Sequence, residues 1–382
     1  MNKEFKPGCL AAKEKLKLIN ISNYSRTRNY LNGQVTGLSP YITHGLLDLI
    51  DIYSSIAPTD VNFNEKFIKE LAWREYFYHV WDHKKEKIFS SLKEGALAEH
   101  YYSKHLPLDI RQGQTGLKPI DKSIEILYRN GYLHNHARLW LASYLIHYRK
   151  IHWRVGADWM YSHLLDGDLA SNHLSWQWVA GTNSHKPYIF NAENVSKFAP
   201  TSWNCFGSEI DLNYEELEEI AFSNKILTSR KKETINSLLF EPDLFDFPIY
   251  KFPEIEEFNF KDVLIIHPWS IKEIKEKKKF KKIVGIFFLE FHKKWPWSQN
   301  RWKFVISGMK EICDEIFICS NINKLEESNI FFNMHLEQID DFNKEKFNII
   351  EIGKIWPSPK IYCSSFSKFW KKINKKTKFS SS

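Results

Sequence analysis

The chain is poor in cysteine, with five in 382 residues (Cys9, Cys205, Cys313, Cys319 and Cys363), no CxxC pair and no histidines beside them at metal-ligand spacing. That scatter excludes a disulfide-stapled scaffold and a zinc module, so the five read as reduced packing residues and no metal site is expected. Long apolar runs are also missing. The longest, around Ile283 to Leu289, falls far short of the roughly 20 residues a membrane-spanning helix needs, and no membrane span is expected. Lys3, Lys6, Lys13, Lys15 and Lys17 are not followed by an apolar segment and a small-residue cleavage site, which argues against a secretory signal and places the protein in the cytoplasm.

Charge and aromatic rings are plentiful. A content of 43% hydrophobic and 26% charged residues belongs to a globular protein, and 382 residues suffice for two domains of about 100 to 200 residues each. The formal net charge of +8 suits a polyanionic partner, although lysine-rich chains in general share it. Aromatic residues reach 15%, with 14 tryptophans. Such rings stack on flavins and bases or carry electrons, and they also simply fill cores.

From Asn64 to His83 the residues Phe67, Leu71, Phe77, Tyr78 and Trp81 recur at helical spacing, and the same pattern runs over Ile120 to Arg129 and Leu133 to Tyr148. A mainly α domain over residues 1–205 is the expectation. Residues 206–253 change character, from acidic (Asp211 to Glu219) to basic (Arg230 to Lys232) to the proline-bearing EPDLFDFPIYKFPE, and read as a connection. Beyond it, Val263 to His267, Ile283 to Leu289, Glu315 to Cys319 and Phe347 to Ile352 are strand-like, with a helix-compatible Gln299 to Ile312 between. Residues 254–367 therefore predict a small α/β lobe. Lysines without an acidic residue from Lys368 to Lys378 predict a mobile basic tail over 368–382.

Several segments combine polar groups with helical patterning. In TGLSPYITHGLL, Ser39 before Pro40 predicts a helix with serine at its N-cap, and the small Thr36 and Gly37 upstream let a phosphate approach the free N–H groups; an ordinary capped helix fits the same residues. In KFIKELAWREYFYHVW, Glu70, Trp73, Arg74 and Phe77 share one helical face, as an ion pair beside core aromatics or as the wall of a polar and aromatic pocket. GYLHNHARLWLASYL places Asn135, Arg138 and Ala142 on one face, and DGDLASNHLSWQW aligns Asp168, Asn172 and Trp176 at i+4 steps. An unpaired buried Arg138 would cost several kcal/mol, which makes Asp166 or Asp168 its natural counter-ion. Trp176 and Trp178, two apart, project in very different directions.

These segments in this order resemble the FAD-binding domain of the cryptochrome/photolyase family. The matching residues are Tyr24 with Arg28, TGLSPY, ELAWREYF, TG followed by Asp121, GYLHNHAR, IHWRVGADW, DGDLASNHLSWQW and NAENVSKF, from about Tyr24 to Pro200. The resemblance implies an FAD with its phosphates near Tyr24 and Thr36, Gly37, Leu38 and Ser39, and its flavin ring near Arg74, Asn135, Arg138, Asp166, Asp168 and Asn172. By similarity, Asn172 sits beside the flavin N5, Glu70 contacts a lesion base, Trp73 and Trp178 flank a flipped pyrimidine dimer, and Trp176 followed by Trp153 passes electrons to the flavin. Asn135, where the (6-4) repair enzymes carry histidine, favours the cyclobutane dimer in DNA as substrate.

The chain departs from the family pattern in two places. No α/β antenna domain precedes the flavin segments, which leaves the antenna chromophore unknown, and NRWKFVISGMKEI in the downstream lobe faintly resembles the antenna domain's arginine-bearing helix. The outermost relay tryptophan is replaced near Ile110, with Trp140, Trp159 or a tyrosine as substitutes. The expected activity is that of a monomeric deoxyribodipyrimidine photo-lyase. The alternatives are a cryptochrome-like blue-light photoreceptor and a DNA-binding flavoprotein without repair activity.

Overall fold

The computed structural model describes residues 4–56, 61–228, 239–255, 262–273, 277–325, 330–333, 347–350 and 354–374. Its first half is helical, and the three expected helices appear as Val61–Lys84, Lys118–Asn130 and Asn135–Ser143, the last continuing through a wide π turn over Tyr144–Tyr148. Lys118–Asn130 shows why the sequence reads so clearly. Pro119 occupies the first turn, Arg129 the last, and Gly131 closes the helix in the left-handed conformation at φ 61°. A Cβ on Gly131 would meet Leu165 Cγ at 2.8 Å, and Leu165 N donates to Gly131 O at 2.7 Å. The helix end thereby anchors the turn at 164–168, which carries both carboxylates of the site.

Two further helices flank that turn, Trp153–His163 before it and Leu169–Ala180 after it. The second starts on Asp168, whose side chain accepts the Ser171 N–H, and ends on Gly181 at φ 83°. Behind them, Ile120, Leu127, Trp140, Leu145, Ala157 and Trp176 belong to one buried cluster. Fully burying a side chain of the size of leucine or phenylalanine stabilises a core by about 1.5–3 kcal/mol.

The carboxy-terminal half is an α/β lobe around a five-stranded parallel sheet. Its strands are β1 (Val263–Ile266), β2 (Lys282–Phe288), β3 (Glu315–Cys319), β4 (Ile330–Asn333) and β5 (Asn348–Ile350), in the order β3-β2-β1-β4-β5. The expected strands are present where described; residues 351–352 of the last one lie outside the described residues. Strand β4 was not anticipated, because a four-residue IFFN beside polar neighbours carries no distinguishing period. The helix Gln299–Ile312 supplies the crossover from β2 to β3.

Lobe and helices share a core. One cluster runs from Phe67, Leu71 and Val80 of the long helix to Ile265, Trp297 and Phe304. Ile271 N donates to His44 O at 2.9 Å, Ser298 N donates to Ser162 O at 2.9 Å, and Lys272 pairs with Asp48 and, at 2.8 Å, with Asp51. The tail expected to be mobile from Lys368 is instead helical over Phe366–Asn374, since Phe369 and Ile373 are buried against the long helix while the lysines face outward. Residues 375–382 lie outside the described residues. None of the described helices is long and apolar enough to cross a membrane.

The fold also holds a titrating group in its interior. His147 is fully buried, its Nε2 2.9 Å from Val179 O, and burial pushes its pKa down from 6.5 to about 4. Because the folded value lies below the unfolded one, the contribution is complete above pH 6.5 and is lost as pH falls towards 4. The slope is about 1.4 kcal/mol per pH unit. His44 and His79 are lowered in the same way and add to the slope, so chemical denaturation between pH 7 and 4.5 should show His147→Asn with a slope shallower than wild type by about that amount; equal slopes would place the titration elsewhere.

Candidate functional site

A cleft of about 340 Å³ opens among the helices, and most of the polar groups picked out above line it. The long helix contributes Glu70, Trp73, Arg74 and Phe77, one residue from each of the positions that share its face. Asn135, Arg138, Leu139 and Ala142 come from the helix Asn135–Ser143, and Asn172, Ser175, Trp176 and Val179 from Leu169–Ala180. The segment around the short helix Ser39–Thr43 adds Thr36, Leu38, Ser39 and Thr43, while Tyr24 closes the other side. Pairing three helices side by side is what converts separate i, i+3, i+4 stripes into one polar wall.

The electrostatics settle which carboxylate serves which arginine. Arg138 reaches both oxygens of Asp166 at 2.9 Å, and Ser39 Oγ donates to the same carboxylate at 2.5 Å. Arg74 pairs with Asp168 at 3.4 Å, and the Tyr78 hydroxyl donates to that carboxylate too. Burial alone would raise the pKa of Asp168. The Arg74 charge, the Tyr78 hydroxyl and the Ser171 N–H outweigh it, holding the carboxyl below its ordinary range. Glu70 is paired with Arg28 at 2.5 Å, and the Arg28 guanidinium lies 5.9 Å from the centre of the Tyr24 ring. Asn172 Nδ2 donates to Ala157 O at 2.8 Å, which fixes the amide's orientation, whereas the exposed Asn135 side chain has no protein partner among the described residues.

Not every expected residue lies in the cleft. Ser39 is not the N-cap: it is the first helical residue, after Leu38, and its hydroxyl serves Asp166 instead of a backbone N–H. Gly37, at φ 65°, is outside the lining, with Lys15 and Phe5 beside it, and Asp168 stands outside the lining too, as the cap and the Arg74 partner. Trp153 is buried outside the lining, its Nε1 donating to Ser91 Oγ at 3.0 Å. Trp178 is 40% exposed, its ring 5.8 Å from Tyr188, outside the cleft lining. Trp73 lines the cleft but carries Phe366 of the carboxy-terminal helix stacked on it at 4.1 Å and 8°.

Trp176 is buried with its ring against the helix Trp153–His163, where a Cβ on Gly156 would come within 2.3 Å of it. Glycine is required there by close approach, and Trp153 lies one turn earlier on that helix. Ile110, Trp140 and Trp159 are all buried; Trp140 donates to Asn194 Oδ1 at 3.0 Å and Trp159 to the Tyr128 hydroxyl at 3.2 Å. Asp121 caps the TG turn away from the cleft, accepting Thr115 N, Thr115 Oγ1 and Gly116 N at 2.7–3.0 Å.

Sequence reasoning missed Thr43, Tyr132 and Met160, which also line the cleft. Tyr132 sits in GYLHNHAR, and burial pushes its hydroxyl up to about 12, so it presents a neutral phenol at any physiological pH. The Arg138 guanidinium lies 5.3 Å from its ring centre.

The donor set fits a flavin dinucleotide: hydroxyls and cations for a pyrophosphate, and two arginine–carboxylate pairs with two amides for the polar edge of an isoalloxazine ring. Residues 67–203 match the family model described as the FAD binding domain of DNA photolyase. A deoxyribodipyrimidine photo-lyase of Agrobacterium fabrum is 29% identical over 188 residues, covering 46% of this chain and 38% of that protein. One from Alkalihalophilus pseudofirmus is 32% identical over 186 residues, covering 46% and 38%. A solved cryptochrome from Synechocystis sp. PCC6803 covers 52% of this chain and 44% of its own at 26% identity, with a TM-score of 0.47. Residues 67–203 of the helical half are thus similar to the FAD-binding domain of DNA photolyases, and the likeness covers less than half of the chain. The matches span about two fifths of the length of those photo-lyases.

Proposed function

We propose that the protein is a light-driven, FAD-dependent lyase that repairs cyclobutane pyrimidine dimers in DNA. The observation that supports this most strongly is the convergence of Glu70, Trp73, Arg74, Asn135, Arg138, Asn172 and Trp176 on one cleft. Held by these residues in its reduced state, FAD would supply the photoexcited electron that splits the dimer and would take it back afterwards. The chain's own residues do the rest. Arg138 and Arg74, each braced by a buried carboxylate, hold the cofactor's polar edge without carrying an uncompensated charge. Asn172, with its Nδ2 committed to Ala157 O, turns an amide and not an acid towards the ring, so no proton is offered there. Glu70, already held by Arg28, accepts hydrogen bonds from an extruded base, and the Trp73 ring gives that base an apolar wall.

A photoreceptor using the same flavin is the second reading. It is favoured by one observation, the Phe366 ring stacked on the tryptophan assigned to the lesion. Titrating intact and dimer-containing duplexes at two salt concentrations tests the DNA assignment. Trp73→Ala and Trp178→Ala, with FAD content intact as proof of folding, should each lose about 1 to 3 kcal/mol of lesion preference while keeping the non-specific salt slope. Undiminished lesion preference in both variants would remove the stacking role.

A further inference from the structure

We infer that the carboxy-terminal lobe is a working part of the flavin site, because its Arg301 positions the turn at 164–168 that carries Asp166 and Asp168. The inference rests on the flavin reading of the cleft. Arg301 belongs to the lobe helix Gln299–Ile312, yet it is fully buried and its guanidinium is spent on the helical half: one arm donates to Tyr161 O at 3.2 Å, the other to Gly167 O at 2.6 Å. The guanidinium carbon lies 4.0 Å from the Trp297 ring centre and 4.7 Å from that of Tyr161.

Among the described residues no carboxylate forms an ion pair with Arg301; its buried charge is met by two backbone carbonyls, the Tyr161 side chain and the Trp297 face, with the Asp166 and Asp168 charges acting from beyond contact distance. Burying such a charge is costly, and an apolar side chain would fill the same space more cheaply. What an apolar side chain could not do is bridge two carbonyls. The two acceptors tie the turn to the helix before it, one lying in the last turn of the helix Trp153–His163 and one within the turn, between the two acidic residues. Gly167 is fitted to this clamp: a Cβ there would meet Arg301 Nη1 at 2.5 Å and Tyr161 O at 2.6 Å.

The consequence follows from what the turn carries. Asp166 meets Arg138 with both oxygens and takes the Ser39 hydroxyl, and Asp168 holds Arg74 and Tyr78. A shift of the turn moves both arginines at once. A second lobe contact acts on the same turn, since His44 lies between Leu165 O at 2.9 Å and the lobe's Pro268 O at 2.6 Å. Arg301 touches no cleft-lining side chain of this set, and its role is to position, not to bind.

The test uses the full-length protein and FAD itself. Arg301→Met should weaken FAD binding, measured by fluorescence titration, tenfold or more and blur the vibronic structure of the bound flavin's absorption band. Arg301→Lys, which keeps the charge but reaches one carbonyl, should fall between. Gly167→Ala should reproduce the Arg301→Met signature, and the double variant should be no worse than either alone, because both act on one turn. Lys272→Ala, which removes the lobe's ion pairs to Asp48 and Asp51 without touching the turn or the helix end that anchors it, should bind FAD as wild type does. If Arg301→Met does not fold, Arg301→Lys and Gly167→Ala decide in the same way. FAD affinities within twofold of wild type in the Arg301 and Gly167 variants, or an equal loss in Lys272→Ala, would overturn the positioning role. An Asp166→Asn variant that also binds FAD normally would instead sink the flavin reading.

Discussion

Arg138→Ala is expected to purify with little or no FAD. The guanidinium makes the two-pronged contact to Asp166, whose carboxylate is only 5% exposed, and removing it leaves that charge in the wall with the Ser39 hydroxyl alone. A charge-assisted hydrogen bond of this kind is worth roughly 1.5 to 3 kcal/mol, which corresponds to about a tenfold to hundredfold loss of affinity before any repulsion of the cofactor by the stranded carboxylate. Arg138→Lys, a point charge in place of a fork, should restore part of the loss. The ratio of flavin to protein absorbance after desalting measures the outcome. Normal stoichiometry with an unshifted flavin spectrum in Arg138→Ala would mean that the cofactor is held elsewhere.

The second large effect is expected at Trp176. It lies on the helical stripe that begins with Asn172, lines the cleft, and is pressed against Gly156 one turn from Trp153. With FAD in the proposed site, a buried indole in that position would be the first ring an electron meets on leaving or reaching the flavin. Trp176→Phe keeps the ring's place but removes the easily oxidised indole, so photoreduction under steady blue light with an external reductant should slow severely while FAD content stays normal. Trp153→Phe should slow it less. A Trp176→Phe protein photoreduced as fast as wild type would move the relay to another set of aromatics.

What could be read from the residues was the local part of the site. Helical spacing alone grouped Glu70 with Trp73 and Arg74, and Asn135 with Arg138, because neighbours on one helix face are fixed by the 3.6-residue repeat. It could not choose between Asp166 and Asp168 as the partner of Arg138. That choice depends on how the turn is folded, and the turn's partners, Gly131 on Leu165 and Arg301 on Gly167, come from elsewhere in the chain. Ser39 was misread for a related reason: serine before proline is a good cap pattern, but a buried carboxylate 127 residues away competes for the hydroxyl and wins.

The lobe shows the same limit. Its strands were legible where valine, isoleucine and phenylalanine ran together, and β4 was not, being short. The lysines of the last segment suggested a solvated tail, yet Phe366, Phe369 and Ile373 at helical spacing give it an apolar stripe that packs against the long helix. Charge counts describe the outer face of an amphipathic helix and say nothing about the inner one.

The central claim is that this cleft performs repair and not only light sensing. The purified protein with reduced FAD, mixed with an oligonucleotide containing a single cyclobutane dimer, should convert it under blue light to the intact sequence with multiple turnovers, with no conversion in the dark. Stoichiometric FAD and normal photoreduction without any loss of dimer under light would contradict the claim and leave the photoreceptor reading in its place.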